Sequence, residues 1–228
     1  MSEDAGAPDS GGAPRIPEHT VVFQPIVDLA TGAVRGREAL ARFADGRTPL
    51  EHLAAARARG MRTRLELALA RTAVTAARAL PAHEKVSVNA SAATLASPEL
   101  EELFDDSRTW GVELAETSDL PVAFSLADRC RALGVELLLD DVGAGRACRE
   151  WVQSLRPDVV KIDRGVLWRA SDGDEEAAAE FDGFVEAARR VGARTIVEGV
   201  ERRAQARFAR EHGADSGQGF LFGAPAPL

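Results

Sequence analysis

Cysteine is scarce: Cys130 and Cys148 are the only two in 228 residues. Two thiols make neither a disulfide framework nor a zinc spacing, so both read as unpaired. The four histidines, His19, His52, His83 and His212, are scattered, form no HxH or HxxxH pair, and read as surface residues. No apolar run approaches the ~18 residues that a membrane helix needs, which excludes membrane insertion. Positive charge is also in deficit, with 28 Lys and Arg against 36 Asp and Glu and a formal net charge of −8. A chain of that sign does not hold DNA or RNA by bulk electrostatics. A phosphate ligand would need a local reversal of sign, which a metal ion supplies. Residues 1–18 have almost no bulky side chains and lack the basic start and apolar stretch of a signal peptide. They read as a disordered leader, with the ordered domain at 19–228 and a cytoplasmic location expected.

What is present is an alternation. Short β-branched runs alternate with Ala-, Arg- and Leu-rich segments of helical period. The strands expected are Thr20–Val27, Ala33–Leu40, Lys85–Asn89, Gly111–Ala115, Val135–Asp140, Val159–Ile162, Arg194–Val197 and Gly219–Phe222. The helices expected are Pro49–Ala58, Thr63–Leu80, Ser97–Asp105, Leu120–Leu133, Arg146–Leu155, Asp174–Val191 and Glu201–His212. A short turn at Asp28–Gly32 joins the first two strands, which implies a hairpin and an antiparallel first strand. The rest reads as βα units on a parallel sheet. Eight strands in this length predict an α/β fold, a modified (β/α)8 TIM-like barrel. An open doubly wound sheet is the alternative, weakened by the absence of a Gly-rich phosphate loop after the first strand.

The unusual polar residues share one position on this map. Glu38 closes strand two, Asn89 strand three, and Glu113 lies near the end of strand four. Asp140 and Asp141 close strand five, Lys161 and Asp163 flank the end of strand six, Glu198 follows strand seven, and Gln218 opens strand eight. The C-terminal ends of parallel strands face one way, so most of these groups meet at one mouth of the barrel. A single carboxylate after a strand is commonly the first solvated residue of a loop. Five crowded together repel one another and resist desolvation, and a cation relieves both. Oxygen donors without His or Cys favour hard ions, Mg²⁺ or Mn²⁺, as cofactor. The adjacent pair Asp140-Asp141 suits two ions, which would activate water and hold a phosphate in line. Lys161 can face developing charge, or simply pair with Asp163 or another carboxylate.

Eight segments carry a family resemblance: Phe23-Gln-Pro-Ile-Val-Asp28, Glu38-Ala-Leu40 with Arg42, Val88-Asn-Ala-Ser91, Glu113-Leu-Ala-Glu116, Asp140-Asp-Val-Gly-Ala-Gly145, Lys161-Ile-Asp163, Glu198-Gly-Val-Glu201 and Gln218-Gly-Phe220. In this order, and at strand ends, they resemble the EAL domain, the cyclic di-GMP phosphodiesterase family. The resemblance implies that Glu38, Asn89, Glu113 and Asp140 hold a first metal and that Asp140, Asp141 and Glu198 hold a second. It implies that Lys161 lies near the nucleophilic water, with Asp141 and Glu198 in the catalytic set. Gln24, Arg42 and Gln218 correspond to substrate contacts, and Glu116, Asp163 and Glu201 to supporting residues. The implied partner is cyclic di-GMP, opened to linear pGpG, and the family forms homodimers.

The chain departs from the family pattern at Val142, Arg146, Ala147 and Cys148, where aromatic and hydroxyl residues are usual, and at Ala115 and Ala224. The stretch Ala44–Arg62 is also shorter than usual. These departures keep open a domain that senses cyclic di-GMP, or docks a protein, without hydrolysis. A barrel enzyme acting on another phosphorylated metabolite is a further alternative, since fold alone does not fix substrate.

Overall fold

The computed structural model describes residues 15–114, 120–144 and 149–228. The elements run β1 (His19–Asp28), β2 (Val34–Phe43), α1 (Pro49–Ala58), α2 (Arg62–Ala77), β3 (Lys85–Asn89), α3 (Ala92–Leu95), α4 (Pro98–Glu101) and β4 (Trp110–Leu114). They continue with α5 (Leu120–Leu133), β5 (Glu136–Val142), α6 (Arg149–Leu155), β6 (Val159–Ile162), α7 (Arg164–Ser171), α8 (Glu175–Val191), β7 (Arg194–Val197), α9 (Arg203–Glu211) and β8 (Ser216–Gln218). The eight strands close into a barrel in chain order. β1 pairs antiparallel with both β2 and β8, and every other neighbouring pair is parallel. The modified (β/α)8 barrel with an antiparallel first strand is therefore the fold. Among the described residues, no helix is long and apolar enough to cross a membrane.

Two apolar layers form between the barrel wall and the surrounding helices, one around Leu139, Ile162, Phe181 and Val197, the other around Phe23, Val88, Leu95 and Val112. Inside the barrel, Ile26, Leu138, Val159 and Ile196 form a small plug of their own. Burying each such side chain contributes about 1.5–3 kcal/mol. The plug fills the interior on the N-terminal side and leaves the C-terminal ends of the strands to polar groups.

Local chemistry explains several boundaries. Thr48 caps α1 in a reciprocal capping box with Glu51, and Pro49 occupies the first turn, where its missing N–H costs nothing. One helix was expected over Ser97–Asp105. The chain forms only the single turn α4 there, and Pro98, which holds Ser97 extended at ψ 131, separates it from the preceding turn α3. Strand eight was expected at Gly219–Phe222 but is Ser216–Gln218, since the chain turns sharply at Gly219 and folds back on Val200. Gln218 therefore closes this strand rather than opening it. Helix α7 was not expected at all, although Asp163 caps it by accepting from the Gly165 N–H at 2.7 Å. His52 is a further correction: it is buried, stacked on Phe43 at 3.8 Å and bonded to Asp45 at 3.0 Å.

Candidate metal centre

The side chains of Glu38, Asn89, Glu113, Asp140, Lys161, Glu198 and Gln218 meet at the C-terminal mouth. Lys161 is at the centre, 1% exposed, with its Nζ 2.6 Å from Glu113, 2.7 Å from Glu198, 2.8 Å from Asp140 and 3.6 Å from Glu38. Glu38 accepts from Asn89 Nδ2 at 3.0 Å and from Gln218 Nε2 at 2.7 Å. Gln218 also donates to Gln24 Oε1 at 3.1 Å. Ser87 Oγ donates to Glu113 at 2.5 Å. Sequence reasoning missed Ser87; its position two residues before Asn89, on the same strand face, is the signal that points to it.

Consecutive residues on a strand point to opposite faces, so Asp140 and Asp141 would not ordinarily share a site. Here the β5–β6 register slips. Leu139 faces Val160 and Val142 faces Ile162, which leaves both aspartates opposite Lys161. Two residues against one is a β-bulge, and it re-aims the second carboxylate. Asp141 takes a left-handed φ of 56° to do so, a conformation that L-residues adopt at a cost. Ligand oxygens of Asp140, Asp141 and Glu198 then lie within 4.8 Å of one another.

Two motif glycines are required by close approach. A Cβ on Gly199 would lie 2.4 Å from Arg164 Cβ, and its φ is +62°. A Cβ on Gly219 would lie 2.3 Å from the Val200 backbone N and O. These contacts let the Glu198 and Gln218 turns pack against their neighbours, which explains Gly in Glu-Gly-Val-Glu and Gln-Gly-Phe.

The electrostatics call for a cation. Burial, and then the charge of Glu38, push the Glu113 carboxyl well above its ordinary value, against the pull of Lys161. Burial raises Glu198 to about 7, with Lys161 opposing and Asp140 adding to the rise. Burial and the charge of Asp140 raise Asp141 as well. Glu38 is lowered instead: burial acts against its charge, but Lys161, Gln218 and Asn89 more than offset it. Burial also disfavours the Lys161 ammonium, yet Glu113, Glu38, Glu198 and Asp140 hold it well above its ordinary value. Paired with these carboxylates, Lys161 stays charged. Asp140 Oδ1 is buried with no aligned hydrogen bond, although the Lys161 ammonium is 2.8 Å away, and Gln218 Oε1 is buried without a partner among the described residues. An all-oxygen donor set with surplus negative charge and spare lone pairs fits a hard divalent ion.

Two cavities flank the cluster, of about 390 and 410 Å³, and share Glu38, Leu40 and Asp141 as their dividing wall. The first runs under α1, past Leu50, Leu53 and Glu66. The second holds Gln24, Asp163, Arg164, Glu198, Glu201, Gln218 and Phe220. Of the expected supporting residues, Asp163 and Glu201 border the second cavity without joining the carboxylate cluster. Arg42 lies outside both cavities, exposed, on the β2 face of Glu38 and bonded to the Ala41 carbonyl. Four residues of strand place it roughly 13 Å beyond Glu38. Glu116, and the loop positions Arg146, Ala147 and Cys148, lie outside the described residues; Val142 is buried in β5.

The family model for the EAL domain matches residues 13–225. The chain is 29% identical over 229 residues to the probable cyclic di-GMP phosphodiesterase PdeB of Escherichia coli strain K12, covering 91% of this chain and 42% of that protein. It is 32% identical over 227 residues to the cyclic di-GMP phosphodiesterase NbdA of Pseudomonas aeruginosa, covering 90% of this chain and 29% of that one. The chain thus spans less than half the length of either relative. Among solved structures, the PaMucR phosphodiesterase in complex with c-di-GMP superposes with a TM-score of 0.80 at 27% identity, covering 92% of both chains. The manganese/cy-diGMP complex of Klebsiella pneumoniae BlrP1 superposes at 0.79 and 25% identity, over 91% of this chain and 56% of that one. With the barrel, the carboxylate cluster and a model match along nearly its whole length, the chain belongs to the EAL domain family.

Proposed function

We propose that the chain is a metal-dependent phosphodiesterase that hydrolyses cyclic di-GMP to linear pGpG. The observation that carries this reading is the convergence of Glu38, Glu113, Asp140 and Glu198 around Lys161, with Asp141 turned in by the bulge. Glu38, Asn89, Glu113 and Asp140 would hold one Mg²⁺ or Mn²⁺, and Asp140, Asp141 and Glu198 a second. When bound, such ions polarise a phosphodiester oxygen and lower the pKa of water. The relatives named as cyclic di-GMP phosphodiesterases, and the manganese complex among the structural neighbours, support the same substrate and ion class.

The protein's own groups have separate tasks. Lys161, held among the carboxylates, stabilises negative charge building on the phosphoryl oxygens. Gln218 fixes the orientation of Glu38 through its 2.7 Å bond and that of Gln24 through its 3.1 Å bond. The two lobes of the groove take the two halves of the dinucleotide, so the scissile bond crosses the carboxylates between them. Phe220, 67% exposed beside the second lobe, offers a face to a base, and Leu50, 77% exposed, offers an apolar contact in the first. Arg42, beyond the mouth, reaches back to the ligand, and Glu116, Asp163 and Glu201 support the surrounding loops.

The purified protein with Mg²⁺ or Mn²⁺ is expected to convert cyclic di-GMP to pGpG, resolved by chromatography, and Glu38→Ala to remove the conversion. Absence of turnover with both metals across pH values would end this reading. The altered segment Val142–Cys148 favours a second one, a sensor that binds cyclic di-GMP and releases it intact; calorimetry followed by recovery of unchanged ligand distinguishes it. A homodimer accompanies either reading, and sedimentation velocity tests it.

A further inference from the structure

Glu66 is a buried carboxylate that none of the site motifs contains. It sits on α2, 4% exposed, and lines the same cavity as Glu38, Asn89 and Glu113. Its Oε2 accepts from the Ser91 N–H at 2.9 Å, from Ser91 Oγ at 2.6 Å and from Thr94 Oγ1 at 2.5 Å. Its Oε1 accepts from Arg62 Nε at 2.6 Å. The three donors to Oε2 all come from the chain that leaves β3 directly after Asn89. Ser91 occupies the N-cap of α3 but makes no side-chain cap bond of its own. The Ser91 hydroxyl donates to Glu66 instead, which ties the β3 exit to α2.

We propose that Glu66 is a positioning residue for Asn89. By clamping Ser91 and Thr94 it fixes the backbone two residues past Asn89, and so aims the Asn89 carboxamide at Glu38 and the acidic mouth. On the other side of Asn89, β3 is held in register between β2 and β4, with Asn89 opposite Glu113. The carboxamide is therefore held from the strand before it and from the clamp after it. Partners that orient a metal ligand without touching the ion commonly change metal affinity by roughly 10–100-fold when removed. This inference rests on the metal centre proposed above.

The test is Mn²⁺ binding by calorimetry to the full chain, without substrate, for the wild type, Glu66→Gln, Asn89→Ala and the double variant. Glu84→Gln is the control. Glu84 is also buried and is ion-paired to Arg37 at 2.6 Å, but it precedes β3 at the other end of the barrel. Glu66→Gln is expected to weaken Mn²⁺ binding roughly 10–100-fold. In the Asn89→Ala background it should add nothing, because its effect passes through Asn89. Glu84→Gln should lower the melting temperature and leave Mn²⁺ affinity as it is. Should Glu66→Gln fail to fold, Ser91→Ala with Thr94→Val removes the two hydroxyl donors of the clamp, leaves only the Ser91 N–H, and should weaken binding in the same direction. Wild-type affinity in the clamp variants, or full additivity with Asn89→Ala, overturns the inference alone. A wild type that binds no Mn²⁺ overturns the metal centre and this inference together.

Discussion

The Lys161 ammonium lies 2.6 Å from Glu113 Oε2, and neither side chain exceeds 1% exposure. A charge pair sealed this far from water survives only if each partner keeps the other. Lys161→Met would leave Glu113, Asp140 and Glu198 crowded and uncompensated. Removing one member of a buried pair costs about 3–5 kcal/mol. Thermal unfolding of the metal-free variant should therefore begin at markedly lower temperature. Adding Mn²⁺ should raise its midpoint by more than it raises that of the wild type, because the ion becomes the only cation among those carboxylates. Equal rises in the two proteins would contradict this account.

Phe220→Ala tests the groove. The ring is exposed beside Gln218 and Glu198 but contributes nothing to the carboxylate cluster. Loss of a stacked base costs about 1–3 kcal/mol, so KM for cyclic di-GMP should rise at least several-fold while kcat changes little. Phe220→Trp should restore KM. A fall in kcat with unchanged KM would place the ring elsewhere in the reaction.

Acid sensitivity has a local source at the β1–β2 turn. Asp28 accepts from the Ala30 and Thr31 N–H groups, from Thr31 Oγ1 and from Arg35. Hydrogen bonds from Thr31, first from its backbone and then from its hydroxyl, lower the Asp28 carboxyl from 3.8 to about 2. A depressed folded-state value means that this stabilisation is complete above 3.8 and is lost as the pH falls toward about 2. Denaturant midpoints at pH 7 and pH 2.5 should thus differ less in Asp28→Asn than in the wild type. An identical pH dependence in both would rule the turn out.

Much of this molecule is legible in the bare chain, and the exceptions have physical reasons. β3, β6 and β7 fall on their expected residues because β6 and β7 are rich in β-branched residues and β3 alternates valine with polar residues, each bounded by charge or turn. β8 escaped because its three residues, Ser-Gly-Gln, carry no apolar signal, while the neighbouring Phe-Leu-Phe imitates a strand. The mouth residues are readable because a polar group ending an apolar strand stands out. Glu66 was not readable: spaced four residues from Arg62, it looks like any solvated helical pair, and only the fold shows its partners to be Ser91 and Thr94. Sequence spacing also placed Asp140 and Asp141 together without revealing how neighbours on a strand come to face one way. That depends on the bulge.

The bulge has an outcome for anyone trying to harden this protein. Asp141, exposed at the mouth, combines a left-handed backbone with a carboxyl pushed upward by partial desolvation and by Asp140, so residue 141 is a weak link that replacement would repair. Asp141→Gly, which removes the side chain along with the conformational penalty, should melt higher than the wild type when metal is withheld, by roughly 1 kcal/mol of unfolding free energy, and should hydrolyse nothing. Directed evolution scored on heat resistance would drift toward that dead barrel, and a lower melting point would betray a benign turn. Toughness and turnover pull in opposite directions at this one residue.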